Sequence, residues 1–202
     1  MTKEELAARL KSACAAVADA EAELTEIDSR FGDADHGLTM AKIAGAIAGA
    51  ADRAEGGVQA MLDDAACAVM TLNGGSAVPL WNTWLDGMQE AAPEDGEIDV
   101  PGLQAVFAKG LEELGDMSGA QVGDKTMMDA LIPASEAIAA YEGADEGGLF
   151  AAAAQAAMEG AEATRQFVSK FGRAKSYGEK TIGTPDAGAM SMAYFFQGLA
   201  RP

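Results

Sequence analysis

The sequence predicts an all-α fold, an eight-helix antiparallel up-and-down bundle that residues 1–202 form as a single domain. Three observations carry this expectation. Of the 202 residues, 45 are alanine, which loses no side-chain entropy in a helix. Eight valines and seven isoleucines are few for a protein built on strands. Apolar residues recur at helical steps along most of the chain, and no segment reads as a convincing strand.

The first helix opens at a capping box, Thr2-Lys3-Glu4-Glu5. It carries Leu6, Leu10, Cys14, Val17, Leu24 and Ile27 at steps of mostly three, four and seven, and should run to about residue 29. The second spans roughly 38–53, with Met40, Ile43 and Ile47 on one face. The third covers about 57–72 through Val58, Met61, Leu62, Ala65 and Val69. The fourth starts near 77 and holds Leu80, Trp81, Trp84, Leu85 and Met88. The fifth follows Pro101 with Leu103, Val106, Phe107, Leu111 and Leu114. The sixth covers about 126–141, with Pro133 inside it as a kink. The seventh, about 147–170, contains the alanine run 151–157 and ends in Val168. The eighth, about 187–200, holds Ala193, Phe196 and Leu199.

Charge narrows the function. The net charge is −18 and the pI is near 4.2. A general nucleic-acid partner is excluded, because it needs a basic footprint, and so is a polybasic membrane patch. No apolar run approaches the roughly 18–20 residues of a membrane span. The N-terminus lacks the basic-then-apolar order of a signal peptide. Cys14 and Cys67 both lie in apolar helical patterns and read as small core residues, so the expected compartment is the reducing cytoplasm.

The connections are more informative than the helices. Three are acidic and bland: 52–57, 90–102 and 142–148. The other four contain Gly32-Asp33-Ala34-Asp35-His36-Gly37, Gly74-Gly75-Ser76-Ala77, Gly123-Asp124-Lys125-Thr126 and the stretch 171–188. Alternate connections of an up-and-down bundle lie at one end, so these four should share a rim.

Asp28, Asp33 and Asp35 form the sharpest motif. Asp28 follows Leu24 by four residues and continues the core-facing stripe, where a carboxylate is costly unless paired or metal-bound. Clustered carboxylates need a cation, and oxygen ligands suit Mg²⁺ or Ca²⁺ over zinc. A calcium loop fails on spacing, since Leu38 and not glycine stands at the sharp-turn position after Asp33. The plain alternative is an Asp-rich turn capping the next helix, with His36 satisfied by backbone. Gly37-Leu38-Thr39 and Gly74-Gly75-Ser76-Ala77 open helices, whose free N–H groups bind phosphate; the alternative for the second is a turn with Ser76 as N-cap. Gly123-Asp124-Lys125-Thr126 departs from P-loop spacing and reads better with Asp124 as an N-cap. Arg173 lies beside Lys170, Lys175 and Lys180, a basic loop that suits phosphate oxygens or pairs with nearby acids. Together these loops describe a metal–nucleotide or metal–polyphosphate site.

Taken in order, the blocks Ile27-Asp28, Gly32 to Leu38, Gly74-Gly75, Gly123 to Met127, Gly172-Arg173-Ala174 and Gly178 to Ala189 resemble the ADP-binding L subunit of split dihydroxyacetone kinases, or the matching nucleotide domain of single-chain kinases. The resemblance covers almost the whole chain and implies an eight-helix barrel with ADP or ATP at one end. It implies that Asp28, Asp33 and Asp35 hold Mg²⁺ bridging the phosphates. It assigns nucleotide contacts to His36, Gly37, Leu38, Thr39, Ser76, Ala77, Met127, Arg173, Asp186, Ala187 and Gly188. Arg173 is the residue expected to stabilise charge on the transferred phosphoryl group. The implied partners are a K subunit holding a small ketose through a histidine and, in one mechanism, a phosphotransferase-system protein that rephosphorylates bound ADP; in the other, ATP exchanges as a substrate. A non-catalytic ADP sensor that binds a transcription regulator is the alternative role. Departures fit a divergent branch, with another short ketose such as erythrulose as the expected acceptor: the second block reads Gly75-Ser76-Ala77-Val78-Pro79-Leu80, Thr39 replaces a usual asparagine, Lys180 an arginine and Ala187 a proline.

Overall fold

A computed structural model describes residues 1–201, with nine α-helices and no strand among them. They are α1 (Lys3–Asp19), α2 (Glu21–Ser29), α3 (His36–Arg53), α4 (Val58–Met70), α5 (Ala77–Glu90), α6 (Val100–Ser118), α7 (Met128–Ala139), α8 (Glu146–Ala163) and α9 (Ala187–Leu199). Eight of them close into a ring. α1 packs on α3, each helix from α3 to α8 packs on the next, and α9 returns to α1. The eight expected helices are thus the staves of one barrel.

The ninth helix comes from a break in the first expected one. At Ala20 (φ −88°, ψ 4°) the N–H turns to the Val17 carbonyl at 3.2 Å, a tighter turn that redirects the chain. α2 then leaves the wall and lies on α3 and α9 with Leu24 fully buried. Gly37 permits the approach: a Cβ there would stand 2.1 Å from the Glu21 carbonyl oxygen and 2.2 Å from Thr25 Oγ1.

Two caps follow sequence rules. Thr2 and Glu5 form the expected capping box on α1, and Asp99 caps α6 by accepting from the Gly102 N–H at 2.9 Å. Pro133 lies inside α7 as expected. The seventh expected helix ends at Ala163, seven residues early. Its next carbonyls are captured by a lysine, so one 3₁₀ turn (Thr164–Gln166) gives way to extended chain at Phe167. Two further short 3₁₀ pieces within Arg173–Thr181, divided at Gly178 (φ 56°, ψ −132°), cross the barrel end before α9.

The barrel interior is filled by aromatics from α5, α6, α8 and α9. Trp81, Trp84 and Phe195 meet edge-on with centroids 5.1–5.5 Å apart, and Phe107 stands 5.8 Å from Phe196. Such buried rings contribute about 1.5–3 kcal/mol each by area alone. Around them α8 presents Ala153, Ala157 and Ala161, all fully buried, so its neighbours approach closely. Cys14 is in the core, and burial pushes its thiol up to about 12. Cys67 is not: it is exposed on α4 beside Asp63, because the apolar stripe runs through Ala65, Ala66 and Val69 instead. No helix among the described residues is long and apolar enough to cross a membrane.

Candidate functional site

The helices alternate in direction, so the C-terminal ends of α2, α4, α6 and α8 face the starts of α3, α5, α7 and α9. All four unusual connections meet there, as expected. A cavity of about 640 Å³ opens between them. Its walls come from Ile27 to His36, from Gly75 to Trp81, from Met117 and Ser118, from Lys125 to Met127, and from Ser169 to Ala174 with Pro185 to Gly188.

The carboxylates converge. Asp28, Asp33 and Asp35 each offer an oxygen, and these atoms all lie within 4.8 Å of one another. Asp28 stands at the end of α2; its Oδ2 accepts from the Asp35 N–H at 3.2 Å, which folds the loop back over it. Ala34 takes a left-handed φ of 60° to make that turn. Burial raises the Asp35 carboxyl, the charges of Asp33 and Asp28 raise it further, and Arg173 opposes them. The guanidinium of Arg173 is ion-paired with Asp33 across the mouth. Beside it the rings of Phe31 and Tyr177 pack at a tilt of 59° with centroids 5.2 Å apart, tying the stretch after Arg173 to the carboxylate loop.

The helix starts complete the wall. His36 and Thr39 of α3 line the cavity, as do Ser76 and Ala77 at the start of α5. Gly37 and Leu38 do not: Gly37 is buried against α2, and the Leu38 side chain points to solvent. Only their backbone N–H groups, unpaired in a first helical turn, can serve a ligand. Ser76 occupies the N-cap position, but its hydroxyl caps nothing and is left to the cavity. Burial lowers the His36 imidazole against the opposing pull of Asp28.

Asp124 is not the cap expected of it. It accepts from Gln121 N–H at 2.9 Å and pairs with Lys170 at 2.6 Å, outside the α7 start. Asp129 does the work instead, accepting from Thr126 N–H at 2.7 Å and Gly123 N–H at 2.6 Å while fully buried. The pattern Thr126-Met127-Met128-Asp129 carried that signal, a capping box read three residues back. Lys125 was missed. Its Nζ donates to the carbonyls of Thr164 (2.8 Å), Phe167 (3.2 Å), Thr181 (2.7 Å) and Thr184 (2.6 Å). No local sequence pattern announces four acceptors brought from 40–60 residues away. Met127, Asp186, Ala187 and Gly188 lie together where α7 and α9 begin. Asp186 caps α9 through Ala189 N–H at 2.8 Å, and burial pushes its carboxyl up to about 7, with Asp129 adding and Lys125 opposing.

A family model described as the DAK2 domain matches residues 30–201. The chain belongs to the DAK2 domain family. This DAK2 domain is 39% identical over 183 residues to D-erythrulose kinase of Mycolicibacterium smegmatis, covering 88% of this chain and 32% of that protein. It is 29% identical over 194 residues to the ADP-binding subunit DhaL of the PEP-dependent dihydroxyacetone kinase of Escherichia coli, covering 93% of this chain and 91% of the subunit. Among solved structures, the dihydroxyacetone kinase from C. freundii in complex with AMP-PNP and Mg²⁺ superposes with a TM-score of 0.72 at 26% identity, over 96% of this chain and 33% of that one. The chain therefore spans about a third of the length of the erythrulose kinase and nearly all of the bacterial subunit. The resemblance read from the motifs is a shared family and a shared fold. Asp28 lies just ahead of the matched stretch.

Proposed function

We propose that this chain is the nucleotide-binding part of a ketose kinase, holding Mg-ADP or Mg-ATP at the barrel mouth and delivering a phosphoryl group to a short ketose on a separate K subunit. The observation that carries the reading is the carboxylate cluster facing two helix starts and Arg173 across one cavity. The donor set suits a hard cation: three carboxylates, no sulfur or imidazole among the three, and an open side where phosphate oxygens and water complete the shell. Arg173 already stands against the cluster as a cation of the protein's own.

Asp28, Asp33 and Asp35 would hold Mg²⁺, which supplies charge neutralisation and orientation of the phosphates. The free N–H groups of His36, Gly37 and Leu38 donate to phosphate oxygens at the α3 start, and those near Ser76 and Ala77 do so at the α5 start. Ile27, Phe31 and Met127 offer apolar surface to the base and exclude water. Asp186, Ala187 and Gly188 close the opposite wall. Arg173 exchanges Asp33 for the transferred phosphoryl group and stabilises its charge. This is positioning and electrostatics, the main requirements of phosphoryl transfer.

Surface composition supports a partner at the mouth. The large exposed apolar side chains among the described residues are Leu38, Met70, Met117, Val122, Phe171, Tyr177 and Ile182, and all belong to that end of the barrel. The names of the relatives favour erythrulose or dihydroxyacetone as the acceptor. The phosphoryl source is either a phosphotransferase-system protein acting on resident ADP or exchanging ATP.

Calorimetric titration with Mg-ADP tests the reading. The wild-type chain should bind, and Asp33→Ala should lose binding by about a hundredfold or more, with far-UV helix signal unchanged. Equal affinity in the variant overturns the assignment.

A further inference from the structure

We infer that Lys125 is a positioning residue whose ammonium fills a carbonyl cage fitted to one monovalent cation, and that the filled cage sets Arg173 and the Asp186 turn against the nucleotide. Four backbone oxygens surround its Nζ. Those of Thr164 and Phe167 come from one arm of the connection between α8 and α9, and those of Thr181 and Thr184 from the other. The separations run from 2.6 to 3.2 Å. An ammonium has three protons for these four acceptors, so its charge, and not one-to-one bonding, holds the set. None of the four partners is a carboxylate; the countercharge is carbonyl dipole, including that of Thr164 at the C-terminal end of α8. Mg²⁺ and Ca²⁺ take oxygen at roughly 2.0–2.6 Å and favour charged ligands, whereas neutral carbonyls at these longer distances suit a larger ion of single charge.

The cage is the neck of a loop that reaches the site. Between its arms runs the stretch Ser169 to Ala174, which lines the cavity and carries Arg173 to Asp33. Directly after Thr184 come Pro185 to Gly188, another part of the wall. Two side-chain bonds share the closure: Ser169 N–H donates to Thr181 Oγ1 at 3.1 Å, and Asp186 N–H to Thr164 Oγ1 at 2.9 Å. Carbonyl oxygens facing one point repel one another, so without a cation among them the neck opens. With its protons committed to carbonyls, Lys125 is not itself a phosphate contact. The consequence for the ligand rests on the nucleotide reading above.

Two measurements on the full chain test this. In the wild type, proton–nitrogen spectra of the lysine side chains should show one ammonium protected from solvent exchange, since Lys125 is the one buried lysine among the described residues. In Lys125→Gly, which accepts the left-handed φ of 62° and removes the stem, Mg-ADP affinity and amide exchange across 164–184 should depend on the salt present. In tetramethylammonium chloride, whose cation is too large for the cage, Mg-ADP binding should weaken about tenfold. Ammonium or potassium chloride at equal ionic strength should restore it to within about threefold and slow the exchange. The wild type should not distinguish the three salts. Combined with Arg173→Met, the loss caused by Lys125→Gly should be less than additive. No protected ammonium in the wild type, equal exchange of the variant in all three salts, or full additivity overturns the inference. Should Lys125→Gly be unfolded in tetramethylammonium, recovery of its helix signal in ammonium or potassium supports the cage and lack of recovery overturns it. Failure of the wild type to bind Mg-ADP overturns the nucleotide reading, while the spectrum and the exchange still decide the cage.

Discussion

Arg173 and Asp33 show how a single pair can be read two ways. As an ion pair it is ordinary and mostly exposed, worth at most about 1 kcal/mol. As an occupant of the cluster it competes with any cation for Asp33. Replacing it should therefore split two affinities that normally move together. In Arg173→Met, binding of Mn²⁺ alone, followed by its electron paramagnetic signal, should tighten about threefold as the competitor disappears. Binding of Mg-ADP should weaken about tenfold or more, because a charge-assisted contact to phosphate is lost. Parallel changes in both would refute this account. The aspartates were legible because their spacing is local, seven residues from first to last. Asp129 was half legible, hidden behind the more conspicuous Asp124. Lys125 was not, since its partners are carbonyls, which every residue has.

At the scale of elements, the two ends of the segment from Thr164 to Thr184 are gathered by one ammonium group, beside short 3₁₀ turns and a Gly183 N–H bond to the Arg165 carbonyl at 2.7 Å. Lys125 is 4% exposed and adopts a left-handed φ of 62°, a conformation the surrounding contacts have to enforce. Lys125→Met keeps the stem and removes three N–H donors shared among four carbonyls, three of them in buried bonds. The expected cost is about 3 kcal/mol, and amide exchange should accelerate across 164–184 while α1, α3 and α6 keep their protection. Uniform acceleration would mean the lysine supports the whole barrel instead. Helix positions followed from apolar periodicity, and every expected helix exists. The break at Ala20 left no mark in the sequence, since neither glycine nor proline is there; it is imposed by packing of α2 on α3 and α9. The early end of α8 was equally hidden, because the lysine that stops it lies 39 residues earlier.

At the scale of the molecule, the barrel is closed where its first and last staves meet. Gly198 of α9 lies against α1 so closely that a Cβ would stand 2.3 Å from the Ala13 Cα and 2.6 Å from the Ser12 carbonyl oxygen. Backbone on both sides leaves no flexible side chain to yield. Gly198→Ala should lower stability by about 3 kcal/mol in urea unfolding, with the loss shared by the whole cooperative transition. A change under about 0.5 kcal/mol would show that the seam can slide. Because Gly198 is at the end of α9 far from the mouth, any folded fraction should bind Mg-ADP as the wild type does. Ring closure itself could not be read from periodicity, which fixes the face a helix buries and not which helix it meets.

The distribution of exposed apolar side chains has a kinetic meaning. With a net charge of −18, the walls repel other acidic surfaces, and the basic stretch around Arg173 sits at the one end that is also greasy. On the proposed function, a small ligand and a docking partner would share a single doorway. Such an arrangement would set a queue: whatever diffuses into the cavity would have to arrive or leave while the doorway is bare, and each docking event would shut the traffic down. Turnover in a free-exchange mechanism would then be limited by how briefly the partner stays, whereas a nucleotide recharged in place would escape that limit.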